Sequence, residues 1–149
     1  MSREVISCSP EDTIFEAAKK LSDHDISGLP VVEGDRVVGM ISVSDIVKYM
    51  SIELKHSDLI PTEPHSIPFM ILKLIENEFK LKKELEKISK TKVKDVMTKK
   101  IITIEPDADL FEAASLLEKH DITRLPVVED GKLVGIISKS DLVRALVEF

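Results

Sequence analysis

The chain has 149 residues, a length that suits one globule or two small halves packed together and that buries a core without disulfides or metals. With 43% hydrophobic and 32% charged residues, the composition is that of a folded protein and argues against disorder. A net charge of −6 argues against a whole-protein nucleic-acid footprint, the single cysteine, Cys8, excludes an internal disulfide and Cys-based metal spacing, and no apolar run approaches the roughly 20 residues that span a bilayer.

In chain order, Met1-Ser2-Arg3-Glu4 lacks the charged-then-apolar pattern of a secretion signal, and with one cysteine a reducing cytoplasm is the expected location. Val5 to Cys8 reads as a short strand closed by Pro10. Ile14, Ala17, Ala18 and Leu21 keep helical spacing, with Glu11 and Asp12 favouring the amino end. After His24-Asp25, the run Leu29-Pro30-Val31-Val32-Glu33 is a β-branched strand with proline near its start, where a missing amide donor costs least. Gly34-Asp35 makes a tight turn into Val37 to Ser42, giving a hairpin, and Asp45-Ile46-Val47 opens a second helix.

Residues 51–92 are longer than a simple linker, and Pro61, Pro64 and Pro68 break their first part into turns. A helix is expected over about 68–89, where Ile67, Ile71, Leu74, Leu81, Leu85 and Ile88 follow steps of three and four, interrupted by Glu78. Three heptads are marginal for a free coiled coil, so this helix is expected to pack on its own protein or on a dimer partner. Residues 80–100 hold nine lysines against Glu84, Glu86 and Asp95; a solvated helix face is the plain reading, an anion or acidic partner the other.

The elements then recur. An offset of 96 aligns residues 10–47 with 106–143 without a gap, and 21 of the 38 positions are identical. The second copy runs through a strand at Ile101 to Ile104, Pro106, a helix on Leu110, Ala113, Ala114 and Leu117, then His120-Asp121, Leu125-Pro126-Val127-Val128-Glu129, an Asp130-Gly131 turn, Leu133 to Ser138 and Asp141-Leu142-Val143. The fold class expected is α/β in a mixed α+β sense: two tandem β-α-β-β-α units about a pseudo-two-fold axis, comprising 1–50, a helical linker 51–92, and 93–149. Clefts between related halves are natural ligand sites.

The most informative short motif is Gly39-Met40-Ile41-Ser42-Val43-Ser44-Asp45, repeated as Gly135-Ile136-Ile137-Ser138-Lys139-Ser140-Asp141. It lies where a strand delivers the chain into a helix amino terminus, whose free amides suit a phosphate while the aspartate accepts from ribose hydroxyls. Ser-x-x-Asp is also close to a capping box, and the two uses are compatible. Arg124 is the main difference between the copies, because Gly28 holds the matching position. An arginine at a cleft mouth suits a phosphate, and a surface salt bridge is its plain alternative. His24 and His120 read as helix ends rather than metal ligands. No nucleophile elbow, Walker loop, dinucleotide glycine pattern or HExxH helix is present, and Cys8 lacks a basic neighbour in sequence, so a non-enzyme is expected.

The lead-in Val96-Met97-Thr98, the proline followed by an Ala-Ala helix, Leu-Pro-Val-Val and Gly-h-h-Ser-x-Ser-Asp resemble cystathionine-β-synthase (CBS) domains, and two in tandem resemble a Bateman module. The resemblance covers about residues 1–50 and 93–149. It implies clefts that bind AMP, ADP, ATP or S-adenosylmethionine and regulate a partner protein, here through a separate chain and with a homodimer expected. Carried across, Ser138 would contact phosphate, Asp141 the ribose hydroxyls and Arg124 the phosphates, with Thr98, Ile101 and Pro126 near base or sugar. The first-unit equivalents are Ser42, Asp45, Ser2, Val5 and Pro30. Because Gly28 removes the arginine there, the second unit's cleft is expected to bind more tightly. The competing functions are a scaffold subunit with empty clefts and, less favoured by the acidic remainder, a nucleic-acid binder using the lysine-rich segment.

Overall fold

The computed structural model describes residues 5–56 and 67–148. Its elements are α1 (Ile14–Asp23), β1 (Gly28–Glu33), β2 (Arg36–Ser42), α2 (Val43–His56), α3 (Ile67–Ser89), a 3-10 turn (Val93–Asp95), α4 (Leu110–Lys119), β3 (Arg124–Glu129), β4 (Lys132–Ser138) and α5 (Lys139–Glu148). Two antiparallel hairpins, β1-β2 and β3-β4, carry the mixed α/β fold that the repeat implies. The expected turns at Pro61 and Pro64 lie outside the described residues.

Local chemistry sets each boundary in duplicate. The side chains of Thr13 and Asp109 accept from the amides of Glu16 and Glu112 and so cap α1 and α4. His24 and His120 end these helices, and Asp25 and Asp121 follow with φ of 50°, the left-handed geometry that aspartate tolerates at a helix end. Both hairpins carry a matching register shift, at Val31/Val32 and at Val127/Val128.

The expected first strand of each unit, Val5 to Cys8 and Ile101 to Ile104, shrinks to a single parallel bridge, Cys8 to Val31 and Ile104 to Val127. Proline placement explains the difference. The Cys8 amide donates to the Pro30 carbonyl (3.1 Å) and the Val32 amide to the Cys8 carbonyl (2.7 Å). Extending this ladder toward Val5 needs an amide at Pro30, and extending it past Cys8 needs one at Pro10. Proline has none. Pro126 and Pro106 trim the second unit in the same way, around the Ile104 amide to Pro126 carbonyl bond (3.1 Å).

Each unit has its own core. Leu29, Val31, Ile41 and Ala17 are fully buried in the first, with Cys8, Ile14 and Leu21 beside them; Leu125, Val127, Leu117 and Ala113 fill the second. Packing crosses between the two repeats at residues 93–97. Val93 is fully buried in the first unit's core, and Val96 and Met97 pack against it. Residues 91–94 run beside 10–14 through hydrogen bonds from Ile14 to Thr91 (2.8 Å), Val93 to Asp12 (2.8 Å) and Lys94 to Pro10 (3.0 Å). Thr98 then pairs with Met40 on β2, amide to carbonyl in both directions, at 2.8 and 2.9 Å. The second unit's lead-in therefore belongs physically to the first unit's sheet.

Helix α3, expected to pack on its own protein or on a dimer partner, contacts α1 and α2. The seam is buried at Ile88, while Leu81 and Leu85 stay exposed. Of the lysines in this region, Lys92 and Lys94 pair with Glu11, tying the end of the linker to the start of α1.

Three outcomes follow from this packing. A Cβ on Gly39 would sit 2.7 Å from Met97 Sδ and 2.9 Å from the Thr98 carbonyl oxygen, so Gly39→Ala is expected to lower stability by about 1–3 kcal/mol, read as a shifted urea midpoint. Hydrogen bonds from Lys92 and Lys94 hold the Glu11 carboxyl below its ordinary value of 4.5. Its contribution is present above that value and lost as pH falls through the depressed one, so the stability gap between wild type and Glu11→Gln closes in acid, and also in added salt because the group is exposed. Burial pushes the Cys8 thiol up to about 12, with Asp12 adding to the rise and Lys20 opposing it. Thiol reagents at pH 8 are expected to label Cys8 only after denaturation.

Candidate functional site

The junction between β2 and α2 is a reciprocal cap. The Ser42 amide donates to Asp45 Oδ2 (3.0 Å) and the Asp45 amide to Ser42 Oγ (3.1 Å). The second unit repeats it between Ser138 and Asp141 at 2.9 and 3.2 Å. Capping is therefore a real use of the motif in both copies. What differs is the other carboxylate oxygen. Arg144 donates to Asp141 Oδ1, whereas Asp45 Oδ1 accepts from the Thr98 hydroxyl at 3.3 Å.

Because Thr98 is held on β2, the segment after it lines one wall of a cleft of about 400 Å³ with Lys100, Ile101 and Ile102. Ser42 to Asp45 form the floor at the start of α2, and the turn from α4 into β3, ending in Arg124, forms the opposite wall. The site is thus assembled from both units.

This grouping revises the sequence-based one. Ser42, Asp45, Thr98, Ile101 and Arg124 line the same cleft, although the sequence reading divided them between two. Arg124 lines this cleft along with Asp45, while the carboxylate whose charge acts on it is that of Asp141. Ser138 and Asp141 do not line this cleft and sit at the start of α5. Pro30 and Pro126 are buried within β1 and β3, where their carbonyls receive the Cys8 and Ile104 bridges, and they do not line it either. Val5 is half-buried in the first unit's lead-in, and Ser2 lies outside the described residues. The physical reason is that the second unit's lead-in lies on the first unit's sheet: a cleft that joins β2 to residues 98–102 takes its far wall from the second unit.

Arg124 Nη1 donates to the Ser27 hydroxyl and makes no ion pair among the described residues. Burial lowers its pKa, and the charge of Asp141 acts in the opposite direction, yet a guanidinium stays cationic at neutral pH. It is a partly desolvated cation whose hydrogen-bond partner is neutral, an arrangement that favours an anion from solution. Its Nη1 also lies 3.5 Å from where a Cβ on Gly28 would be. The matched positions 28 and 124 meet across the approximate axis, so a long side chain at 28 would compete for the arginine's space.

Sequence reasoning missed Lys100, Asp121 and Thr123. The repeat offset carried a signal for the first: Lys100 aligns with Glu4, a charge reversal beside the motif residue Thr98.

Among the described residues no helix is long and apolar enough to cross a membrane. A family model for the CBS domain matches residues 1–52 and 93–148. The chain is 37% identical over 139 residues to an uncharacterized protein of Methanocaldococcus jannaschii, covering 92% of this chain and 83% of that one. It is 32% identical over 144 residues to inosine-5′-monophosphate dehydrogenase of the same organism, covering 95% of this chain but only 22% of the dehydrogenase. Among solved structures, a signal-transduction protein with CBS domains from Burkholderia ambifaria superposes with a TM-score of 0.70 at 25% identity, covering 99% and 85% of the two chains. The CBS domain pair of protein MJ0100, solved in complex with 5′-methylthioadenosine and S-adenosyl-L-methionine, superposes with a TM-score of 0.68 at 26% identity, covering 99% and 92%. With its two matched segments and its paired hairpin units, the chain belongs to the CBS-domain family as a CBS domain pair.

Proposed function

We propose that the cleft around Asp45 binds an adenine nucleoside ligand, drawn from AMP, ADP, ATP and S-adenosylmethionine, and that its occupancy regulates a partner protein rather than catalysing a reaction. The observation that carries this reading is the convergence of the Asp45 carboxylate, the Thr98 hydroxyl and the Arg124 guanidinium on one cleft at the amino end of α2. A carboxylate accepting from vicinal sugar hydroxyls, with a cation and helix amides for the phosphate, matches a nucleotide's two polar ends. The adenosine derivatives bound by the MJ0100 pair support it. A ligand that bridges walls from two units moves an assembly only by its differential affinity for two arrangements.

The expected homodimer has a candidate surface. Phe111 is 81% exposed, Leu146 80% and Val147 83%, and the repeat places Phe15 and Val47 on the first unit as exposed counterparts of Phe111 and Val143. Like patches on both units suit a two-fold copy of the same chain meeting patch on patch. Phe111→Glu is expected to shift the sedimentation coefficient toward that of a single chain; an unchanged value sends this surface to the regulated partner instead.

Calorimetry with AMP, ATP and S-adenosylmethionine tests the ligand reading. Since the Ser-Asp cap is the same in both units, Asp45→Ala and Asp141→Ala lose equal capping; beyond the cap the first loses the Thr98 hydroxyl and the second the Arg144 pair. Asp45→Ala is expected to weaken binding at least about tenfold, as for a lost charge-assisted hydrogen bond, and more than Asp141→Ala does. No binding of any of the three at millimolar concentration would assign the chain to a scaffold with empty clefts.

A further inference from the structure

We propose that the lead-in to α4, residues 105–110, is a docking strip for an extended segment of a partner protein in which an apolar side chain stands between two lysines. The first unit carries the template for this contact, and the second unit presents the same strip uncovered. The strip shares no residue with the Asp45 cleft, so the inference stands apart from the ligand reading.

In the first unit, residues 91–94 run alongside 10–14, with Thr13 and Lys92 as an antiparallel bridge. The Ile14 amide donates to the Thr91 carbonyl (2.8 Å), the Val93 amide to the Asp12 carbonyl (2.8 Å) and the Lys94 amide to the Pro10 carbonyl (3.0 Å). Under this cover Val93 is fully buried, Ile14 is 3% exposed, and Lys92 and Lys94 both pair with Glu11. The side chains alternate as extended backbone requires: the valine enters the core, and the lysines on either side of it reach the acid at the surface. In contacts of this kind the backbone bonds supply affinity and the alternate side chains supply selectivity.

The offset of 96 carries the Pro10 and Asp12 carbonyls and the Ile14 amide onto those of Pro106, Ala108 and Leu110. Among the described residues none of these three groups has a backbone partner. The open edge shows in the side chains too, because Leu110, at the position of Ile14, is 55% exposed. Glu105, Asp107, Asp109 and Glu112 are exposed along the same stretch, and none makes an ion pair among the described residues. Asp109 is engaged in capping α4 through the Glu112 amide. Asp107 stands where the first unit has Glu11, the acid that takes both lysines. Ala108 replaces Asp12 and packs against the second core, so the strip is apolar at its middle and acidic on both sides. An occupant that satisfies it supplies backbone groups to the edge, an apolar side chain beside Leu110 and Ala108, and positive charge to Asp107, which is the chemistry of Lys92-Val93-Lys94.

A peptide copying Lys90-Thr91-Lys92-Val93-Lys94-Asp95-Val96, labelled at its amino end, is the probe, and its fluorescence anisotropy is followed as the full chain is added. Saturable binding below millimolar concentration is expected, weakened at least about fivefold by Asp107→Lys in the chain and weakened by added salt. Asp107 is exposed and is not the α4 cap, so its replacement leaves the fold intact. Glu11→Gln is expected to leave the affinity unchanged, and the bound peptide is expected to slow hydrogen exchange at the Leu110 amide. The same peptide carrying Val93→Asp is expected to bind about tenfold more weakly, the worth of one buried valine. Equal binding of that peptide reduces the contact to charge attraction and overturns the proposal. Absence of saturable binding overturns it as well, and so does a Glu11→Gln chain weakened as much as the Asp107→Lys chain, which puts the peptide on the first unit. Protection of the Leu110 amide without peptide, growing with protein concentration, assigns the strip to a second copy of the chain instead of a partner.

Discussion

The pairing of Thr98 with Met40 is the constraint on which the rest of the molecule depends. Two backbone hydrogen bonds bind the lead-in of the second unit to the sheet of the first, and Gly39 leaves the space in which they form. The same pairing draws Val93, Val96 and Met97 into the first core and carries Thr98 to Asp45. The first repeat's core is thus completed by residues from the start of the second. A unit of this size buries too little surface to be comfortable alone, and sharing strands across the repeat boundary is one physical answer to that shortage.

Much of the architecture was legible because the chain repeats itself. Helices α1 and α4, both hairpins and the capped starts of α2 and α5 follow from hydrophobic period and from local hydrogen-bond chemistry, and local chemistry is written in adjacent residues. The first strands were overestimated because β-branched composition suggested a ladder that Pro10, Pro30, Pro106 and Pro126 forbid. Those prolines were visible, but their effect needs the pairing partner, which is a tertiary fact.

The candidate cleft was half legible. The motif residues Ser42, Asp45, Thr98, Ile101 and Arg124 were all picked from the sequence, yet they were sorted by unit. Packing sorted them across the axis instead. The repeat offset says which residues are equivalent and is silent on which equivalents meet, so Arg124 could not be matched to Asp45 without the Thr98 pairing. Equivalence also hid the divergence of the two carboxylates: Arg144 occupies Asp141 from its own helix, while Asp45 is met by a hydroxyl from the other unit.

The trimmed ladders have a mechanical side. Between the Thr98 pair and the Ile104 bridge, no backbone hydrogen bond of residues 99–103 is found among the described residues, and this five-residue span includes Lys100, Ile101 and Ile102 of the cleft wall. A wall pinned at both ends and unladdered between them bends without breaking any strand pairing. The span is anchored to one hairpin at each end, so a displacement of its middle is carried to both. The prolines that cut the strand short thereby leave the chain a tether through which the two halves feel the same load.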